Sequence, residues 1–156
     1  MENTFVNSID NLNTDLIVLS YVRKSINPRF IIHNKLYPII ISLPESTCVF
    51  GVDRVYDKSY IKLKIPSDSI INKLIDIEDR LRNLVYEREH LELATCFCGK
   101  NTMALVLDKN ISVNDNKSVF GLNAGTVITC EITLGSIYIH NNIAKYKWIV
   151  NNLSFV

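Results

Sequence analysis

The sequence predicts a mainly β domain that contains one amphipathic helix. Three observations lead to this fold class. Short segments along most of the chain alternate apolar with polar residues, one central segment changes to a helical period, and the composition is that of a folded domain. With 156 residues, 47% of them apolar, the chain can build one hydrophobic core. Neither repeats nor low-complexity linkers divide it, so residues 1–156 are interpreted as a single domain.

The N-terminal half is predicted to contain three or four extended segments. DLIVLSYVRKS, residues 15–25, is rich in β-branched and aromatic residues, which favour strands. RFIIHNKLYPIIISLP supplies one or two more extended pieces, and Pro38 marks an edge or a kink because proline cannot donate to a sheet ladder. KSYIKLKIP alternates apolar with polar residues, which predicts a strand buried on one face.

The period then becomes helical in SDSIINKLIDIEDRLRNLVYEREHL. Ser67 or Asp68 can cap the start of this helix directly after Pro66. Two acid–base pairs in the favourable order, Asp76–Arg80 and Glu78–Arg82, are expected on its surface. The helix is also interpreted as having a solvated face, which carries the carboxylates of Asp76, Glu78 and Asp79. The apolar face is predicted to consist of Ile70, Leu74, Ile77, Leu81, Leu84 and Val85.

Extended segments follow the helix. NTMALVLDKN predicts a strand that ends in a turn at residues 108–110, and DNKSVFGLNAG predicts a polar loop. TVITCEITLGSIYIHN alternates, and AKYKWIVNNLSFV follows a predicted turn at residues 140–142. Alternation along the last strand places Tyr146 and Trp148 toward the core, and Lys145 and Lys147 toward water.

This order of several strands, one helix and several strands fits a small Greek-key barrel. The OB-fold is the common barrel of this kind, and its helix closes one end of the barrel. The sequence therefore predicts an OB-fold-like Greek-key barrel with the helix inserted between strands 3 and 4. An α+β sandwich with the helix packed on one sheet face is the alternative.

Positive charge is concentrated in one part of the chain, although the formal net charge is only +1. Residues 21–64 carry eight Lys and Arg against three acids, whereas the first 20 residues carry three acids and no Lys or Arg. A polyanion responds to local positive density rather than to net charge. The basic third of the chain is therefore the first candidate for a binding surface.

One strand face in this region combines rings with amines. Tyr60, Lys62 and Lys64 alternate with apolar residues, so a ring and two amines share a surface, as in grooves that bind single-stranded nucleic acid. A lysine-protected strand edge or solvated sheet face would show the same residues, so this interpretation stays open. The predicted nucleic-acid-binding residues are Tyr21, Arg23, Lys24, Arg29, Arg54, Tyr56, Lys58, Tyr60, Lys62, Lys64, Lys145 and Lys147. Of these, the predicted stacking rings are Tyr21, Tyr56 and Tyr60.

Catalytic and metal-binding motifs are missing from the sequence. It contains no nucleophile elbow, phosphate-binding loop, dinucleotide fingerprint or His-Glu-x-x-His motif, and the histidines His33, His90 and His140 lie in separate segments. Cys96 and Cys98 are closer together than usual zinc ligands, so they are interpreted as small thiols on a strand or loop. We therefore predict no enzymatic activity, no metal and no cofactor.

The protein is expected to be intracellular and to have no membrane partner. Its four cysteines are too few and too scattered for a secreted disulfide scaffold, and its polar N-terminus is unlike a targeting peptide. No apolar run approaches the roughly 20 residues that a membrane-spanning helix needs.

Three segments resemble the OB-fold single-stranded-DNA-binding proteins of large eukaryotic DNA viruses. CVFGVDRVYDKSYIKLKIP is similar to the Phe-Gly segment and Tyr-rich strand of that family, and INKLIDIEDRL is similar to its following helix. TVITCEITLGSIYIHNNIAKYKWIVNNLSFV is similar to its closing hairpin. The resemblance implies a non-catalytic protein that coats exposed single strands during viral DNA replication, recombination or repair. Self-association, replication-protein partners and viral replication sites in the host cell belong to the same expectation.

The sequence thus predicts a protein that binds single-stranded DNA with little sequence preference. RNA stays an alternative ligand because it also offers stackable bases and phosphates. An OB-fold protein-interaction module, which docks an acidic partner on the same basic face, is the alternative function.

Overall fold

A computed structural model gives the fold and describes residues 6–7, 12–22, 29–34, 38–55, 57–114 and 117–156. These residues form twelve strands, one α-helix and two short 3-10 turns, Thr14–Leu16 and Val119–Gly121. The strands are β1 (Val6–Asn7), β2 (Ile17–Val22), β3 (Arg29–Asn34), β4 (Ile40–Cys48), β5 (Asp53–Val55), β6 (Lys58–Lys64), β7 (Phe97–Gly99), β8 (Thr102–Val113), β9 (Val127–Leu134), β10 (Ile137–His140), β11 (Ile143–Lys145) and β12 (Trp148–Phe155), and the helix is α1 (Asp68–Glu89).

Five strands close into a barrel in the order β4–β9–β12–β8–β6–β4. The pair β8–β12 is parallel, and the other pairs around the barrel are antiparallel. A short pairing closes the barrel, in which Thr47 and Cys48 of β4 pair with Lys64 and Leu63 of β6. A five-stranded Greek-key barrel with one helix is the OB-fold architecture. The predicted fold class is therefore confirmed.

The helix follows β6, directly after the alternating strand, as the change of period predicts. However, the helix does not lie between the two barrel strands that were predicted to flank it. β4, β6 and β8 are the first three barrel strands in chain order, so α1 connects the second barrel strand to the third rather than strand 3 to strand 4. The difference arises because β2 and β3, which resemble barrel strands in the sequence, pair with each other in a separate sheet.

This second sheet has the strand order β11–β10–β3–β2, and each pair in it is antiparallel. It joins the β2–β3 pair from the N-terminal region to the β10–β11 hairpin, which lies in the chain between barrel strands β9 and β12. The predicted turn at residues 140–142 is present, and Asn141 and Asn142 adopt φ values of 50° and 62°. Two positive φ values at the centre of a hairpin loop favour asparagine and glycine.

Alternation along the strands fills the barrel core. β9 alternates strictly between buried and half-buried residues, and β6 buries Ile61 and Leu63. Trp148 has no exposed surface and Tyr146 is buried, so the prediction that both rings face the core is confirmed. The turn predicted at residues 108–110 is wrong, because β8 continues to Val113.

α1 packs one apolar face on this core. The Ser67 hydroxyl accepts a hydrogen bond from the Ile70 N–H at 3.4 Å, which confirms Ser67 as the N-cap. Its buried apolar residues are Ile71, Leu74, Ile77, Leu81 and Val85, whereas the predicted Ile70 and Leu84 are only partly buried. In the part of the chain that the structure describes, no helix has both the length and the apolar character needed to cross a bilayer.

One helix carboxylate is buried, and this contradicts the prediction that the acidic residues of α1 form a solvated face. Glu78 is 4% exposed. It accepts hydrogen bonds from the Tyr146 hydroxyl at 2.7 Å and the Cys96 N–H at 3.0 Å. Thr95 donates a further hydrogen bond at 2.9 Å, and Arg82 forms the predicted ion pair at 3.2 Å. These partners offset the desolvation of the carboxylate, which otherwise costs several kcal/mol.

Two arginines attach α1 to the N-terminal part of the second sheet and the turn before it. Arg80, predicted to pair with a carboxylate on its own helix, instead donates to the carbonyl oxygens of Asp15 and Ile17, both at 3.3 Å. Arg88 donates to the carbonyl oxygen of Leu19 at 2.9 Å. The helix is therefore bonded to the second sheet through arginine and to the segment before β12 through Glu78.

The Glu78 network can be tested by Tyr146→Phe, which removes one hydroxyl and little volume. Hydrogen bonds to charged groups contribute about 1.5–3 kcal/mol, so we expect the free energy of unfolding to fall by about that amount in urea denaturation. The matched control is Asp79→Asn, which breaks the exposed ion pair between Asp79 and Arg82 and should cost about 0.2–1 kcal/mol. Equal effects of the two substitutions would contradict the role assigned to the Tyr146 hydroxyl.

Candidate nucleic-acid interface

The outer face of β6 carries the predicted ring and amines. Because Ile61 and Leu63 point into the barrel, their neighbours point outward. Lys62 and Lys64 are exposed, and Tyr60 is half-buried between β5 and β8. The alternation predicted from sequence is therefore present, and it brings one ring and two amines to the same surface.

A groove of about 470 Å³ lies on this face, and we call it the barrel groove. Its lining includes Tyr60 and Lys62 of β6, Val55 of β5, Ala104 of β8 and Phe50 from the turn after β4. Ala104 is paired with Lys62 across the two strands, and its small side chain leaves the groove open at that point. The groove is therefore mainly apolar, and its charged lining residues are Lys62 and Asp53.

Phe50 is the aromatic residue of the groove lining that the prediction missed. Its ring is 60% exposed, and the Lys62 ammonium lies 5.6 Å from the ring centroid, within the range of a cation–π interaction. The Val49 N–H donates to the Lys62 carbonyl oxygen at 2.9 Å, which holds this turn beside β6. The sequence signal was the Phe-Gly pair in CVFGV, but ring exposure cannot be derived from that pair.

A second depression of about 200 Å³ adjoins the barrel groove and contains three lysines. Lys58 and Lys147 line it together with Lys109, whose ammonium lies 3.8 Å from the Asp57 carboxylate. Two acids, Asp57 and Asp108, also line the depression, so the lysines outnumber them by one. Val106, which also lines this depression, is paired with Tyr60 of the barrel groove. The two depressions therefore share the outer face of the barrel.

Lys58 and Lys147 form a like-charged pair. Burial and the neighbouring Lys58 ammonium lower the pKa of Lys147. Two ammonium groups held close together repel each other, and an anion between them would relieve that repulsion. Such a pair is chemically suited to a phosphate.

Other predicted residues lie elsewhere. Arg54 is exposed, but it does not face the barrel groove. It pairs with Ser59 on one face of the β5–β6 ribbon, whereas its neighbours Asp53 and Val55 are on the other face and line the groove. Arg29 and Lys145 belong to the second sheet. Tyr21 is described only as part of the β2 backbone. The residues outside the described part of the chain are Arg23, Lys24 and Tyr56.

The two cysteines that were considered as zinc ligands lie in different environments. The Cys96 thiol lies 3.1 Å from the Tyr146 hydroxyl, and burial raises its pKa to about 12, so it stays a protonated thiol. Cys98 is exposed. Nowhere in the described ranges do three or more His, Cys, Asp or Glu side chains converge as a metal site would require.

No protein-family model and no curated protein matches this sequence. Solved structures do match its fold. The single-stranded DNA-binding protein from bacteriophage Enc34, in a C-terminally truncated form, aligns with a TM-score of 0.51 and 12% identity over 88% of this chain and 92% of that one. The structure of that phage protein in complex with ssDNA aligns with a TM-score of 0.52 and 9% identity over 88% and 94% of the two chains.

At these identities the likeness shows a common fold. The chain therefore has an OB-fold of the kind found in that phage single-stranded DNA-binding protein. These two structures are of a bacteriophage protein, so the resemblance to proteins of large eukaryotic DNA viruses stays a prediction.

If Lys58 and Lys147 are close neighbours, removing the charge of Lys58 should change the pKa of Lys147. Lys58→Gln removes the neighbouring ammonium, so the pKa of Lys147 should rise toward its ordinary value, although burial keeps it below that value. The pKa can be followed by NMR of the lysine side-chain methylene carbons. Lys109→Gln is the control, because it removes an amine from the same depression that does not shift Lys147. A Lys147 pKa that is the same in wild type and Lys58→Gln would contradict the pairing.

Proposed function

We propose that this protein binds single-stranded DNA through the outer face of β6, without catalysis and with little sequence preference. The observation that carries the proposal is the barrel groove, which is lined by the half-buried Tyr60 and by the exposed Phe50, whose ring lies beside the Lys62 ammonium. The fold supports it, because the phage protein with the same architecture has been solved in complex with ssDNA.

The chemistry of the groove fits an unpaired strand. Every base has a flat face that can stack on Phe50 or Tyr60, and stacking does not distinguish one base from another. Bases of a duplex are already stacked on one another, so rings in a surface groove reach base faces only in single strands. The amines of Lys62 and Lys64 lie on the same outer face and are available to the phosphates of that strand.

The predicted biological role extends this binding activity. A protein that holds single strands without reading sequence can coat DNA that is exposed during replication, recombination or repair. The viral setting, contacts with replication proteins and assembly of several copies on one strand are part of this proposal, and they rest on the family resemblance of the sequence.

Binding itself is tested by fluorescence polarisation with labelled oligo(dT) at two salt concentrations. We expect binding at low salt that weakens as salt rises, with a log–log slope of about −0.7 for each phosphate that is neutralised. Oligo(rU) in parallel measures whether DNA is preferred to RNA. Failure to bind oligo(dT) at low salt would overturn the proposed function.

The role of the groove is tested by Phe50→Ala. Loss of one stacked base costs about 1–3 kcal/mol, so the affinity for oligo(dT) should fall about 5- to 150-fold while the salt slope stays the same. Tyr86→Ala is the matched control, since Tyr86 is a 59% exposed ring on α1, and it should leave the affinity unchanged. Equal affinities for Phe50→Ala and wild type would exclude Phe50 as a stacking platform.

The role of the amines is tested by Lys62→Gln, which should reduce the magnitude of the salt slope by about 0.7. The alternative function, docking of an acidic protein partner on this face, predicts a different pattern. In that case Tyr60→Ala would leave DNA affinity unchanged in a folded protein, whereas the proposed function requires that affinity to fall.

A further inference from the structure

The outer face of the second sheet carries a row of one ring between two cations. Tyr138 of β10 is paired with Arg29 of β3 on one side and with Lys145 of β11 on the other. Directly paired residues of antiparallel strands lie on the same face, with Cβ atoms roughly 5 Å apart. Arg29 is exposed, and Tyr138 and Lys145 are partly exposed. Three of the residues next to them in the chain are fully buried, namely Phe30, Ile137 and Ala144.

The four strands that form this face contain no carboxylate. One exposed acid, Glu92, borders the sheet, where its carbonyl oxygen accepts a hydrogen bond from the Ala144 N–H of β11 at 3.0 Å. Val18, Ile31 and Ile143 are exposed at 41%, 47% and 44%, which is unusual for β-branched residues on a sheet. The described strands β2, β3, β10 and β11 have the sequences IVLSYV, RFIIHN, IYIH and IAK, without Asp or Glu. Such a surface favours an anionic partner that also offers apolar faces, and an unpaired nucleic acid strand has both properties.

Lysines on β6 and in the segment before β12 connect the row to the barrel face. Lys145 and Lys147 flank the buried Tyr146, and two residues of chain span at most about 7 Å. The Lys147 ammonium neighbours that of Lys58, which stands on the outer face of β6 with the barrel-groove residues. Five cations therefore lie on the way from the barrel groove to the second sheet, and their order is Lys62, Lys58, Lys147, Lys145 and Arg29.

We propose that the path of the single strand continues from the barrel groove across Lys58 and Lys147 onto the second sheet, where Tyr138 stacks a base between Arg29 and Lys145. This inference rests on the proposed function and enlarges its binding site. The protein then contacts more nucleotides than the barrel groove alone can hold, and the added contacts need a strand long enough to reach the second sheet.

The test is a length series of oligo(dT) with wild type, Tyr138→Ala and Lys145→Gln, each checked for folding by circular dichroism. For long oligonucleotides, Tyr138→Ala should weaken binding about 5- to 150-fold, and Lys145→Gln should reduce the salt slope by about 0.7. The shortest oligonucleotides that still bind should show neither change. Lys73→Gln, which removes one positive charge from α1, should match wild type at every length.

The outcomes separate this inference from the proposed function. Affinities of Tyr138→Ala equal to wild type at every length would overturn the extended path and leave the barrel groove as the site. Equal losses for short and long oligonucleotides would also overturn it, because the row would then act on the groove itself. If the row binds an acidic protein segment instead, Lys145→Gln would weaken binding of a poly-glutamate peptide and not of long oligo(dT). Wild type that binds no oligonucleotide would refute both proposals.

Discussion

The short pairing between β4 and β6 is the constraint on which the binding face depends. It closes the barrel, and a closed barrel fixes which residues of each strand point inward. Because Ile61 and Leu63 fill the core, Lys62 points outward. The register that pairs Cys48 with Leu63 places Val49 beside Lys62, whose carbonyl oxygen accepts the Val49 N–H. That hydrogen bond holds the turn that presents Phe50. Barrel closure therefore determines the position of the ring and of the amine beside it.

A buried carboxylate connects the rest of the molecule to this barrel. Glu78 binds the Tyr146 hydroxyl, and burial together with the Cys96 and Glu78 neighbours raises the pKa of Tyr146, so the phenol remains a donor. With Tyr146 held inward, the lysines on either side of it, Lys145 and Lys147, are directed away from the core. The same bond that attaches α1 to the segment before β12 thus positions two cations of the proposed strand path.

The sequence was sufficient for the main elements whose structure follows from local period, although it ended β8 too early. The alternation of KSYIKLK predicted the β6 face, the helical period predicted α1, and the last strand predicted the burial of Trp148. It was insufficient where partners are far apart in the chain. The sequence predicts Glu78 as a surface acid, because its buried partner Tyr146 lies 68 positions away in the chain. Arg29 and Tyr138 likewise become neighbours only through the pairing of β3 with β10, which joins residues 109 positions apart. The exposure of Phe50 likewise depends on barrel closure.

The barrel groove can be tested directly by mapping amide NMR chemical shifts while oligo(dT) is added to the folded protein. The structure predicts the largest changes in the turn at Phe50, along β5 and β6, and at Ala104 on β8. It predicts small changes on the opposite polar face of the barrel, where Ser42, Glu131 and Asn152 lie side by side on β4, β9 and β12. Changes centred on that polar face, with the β6 face unaffected, would contradict the assignment of the binding site.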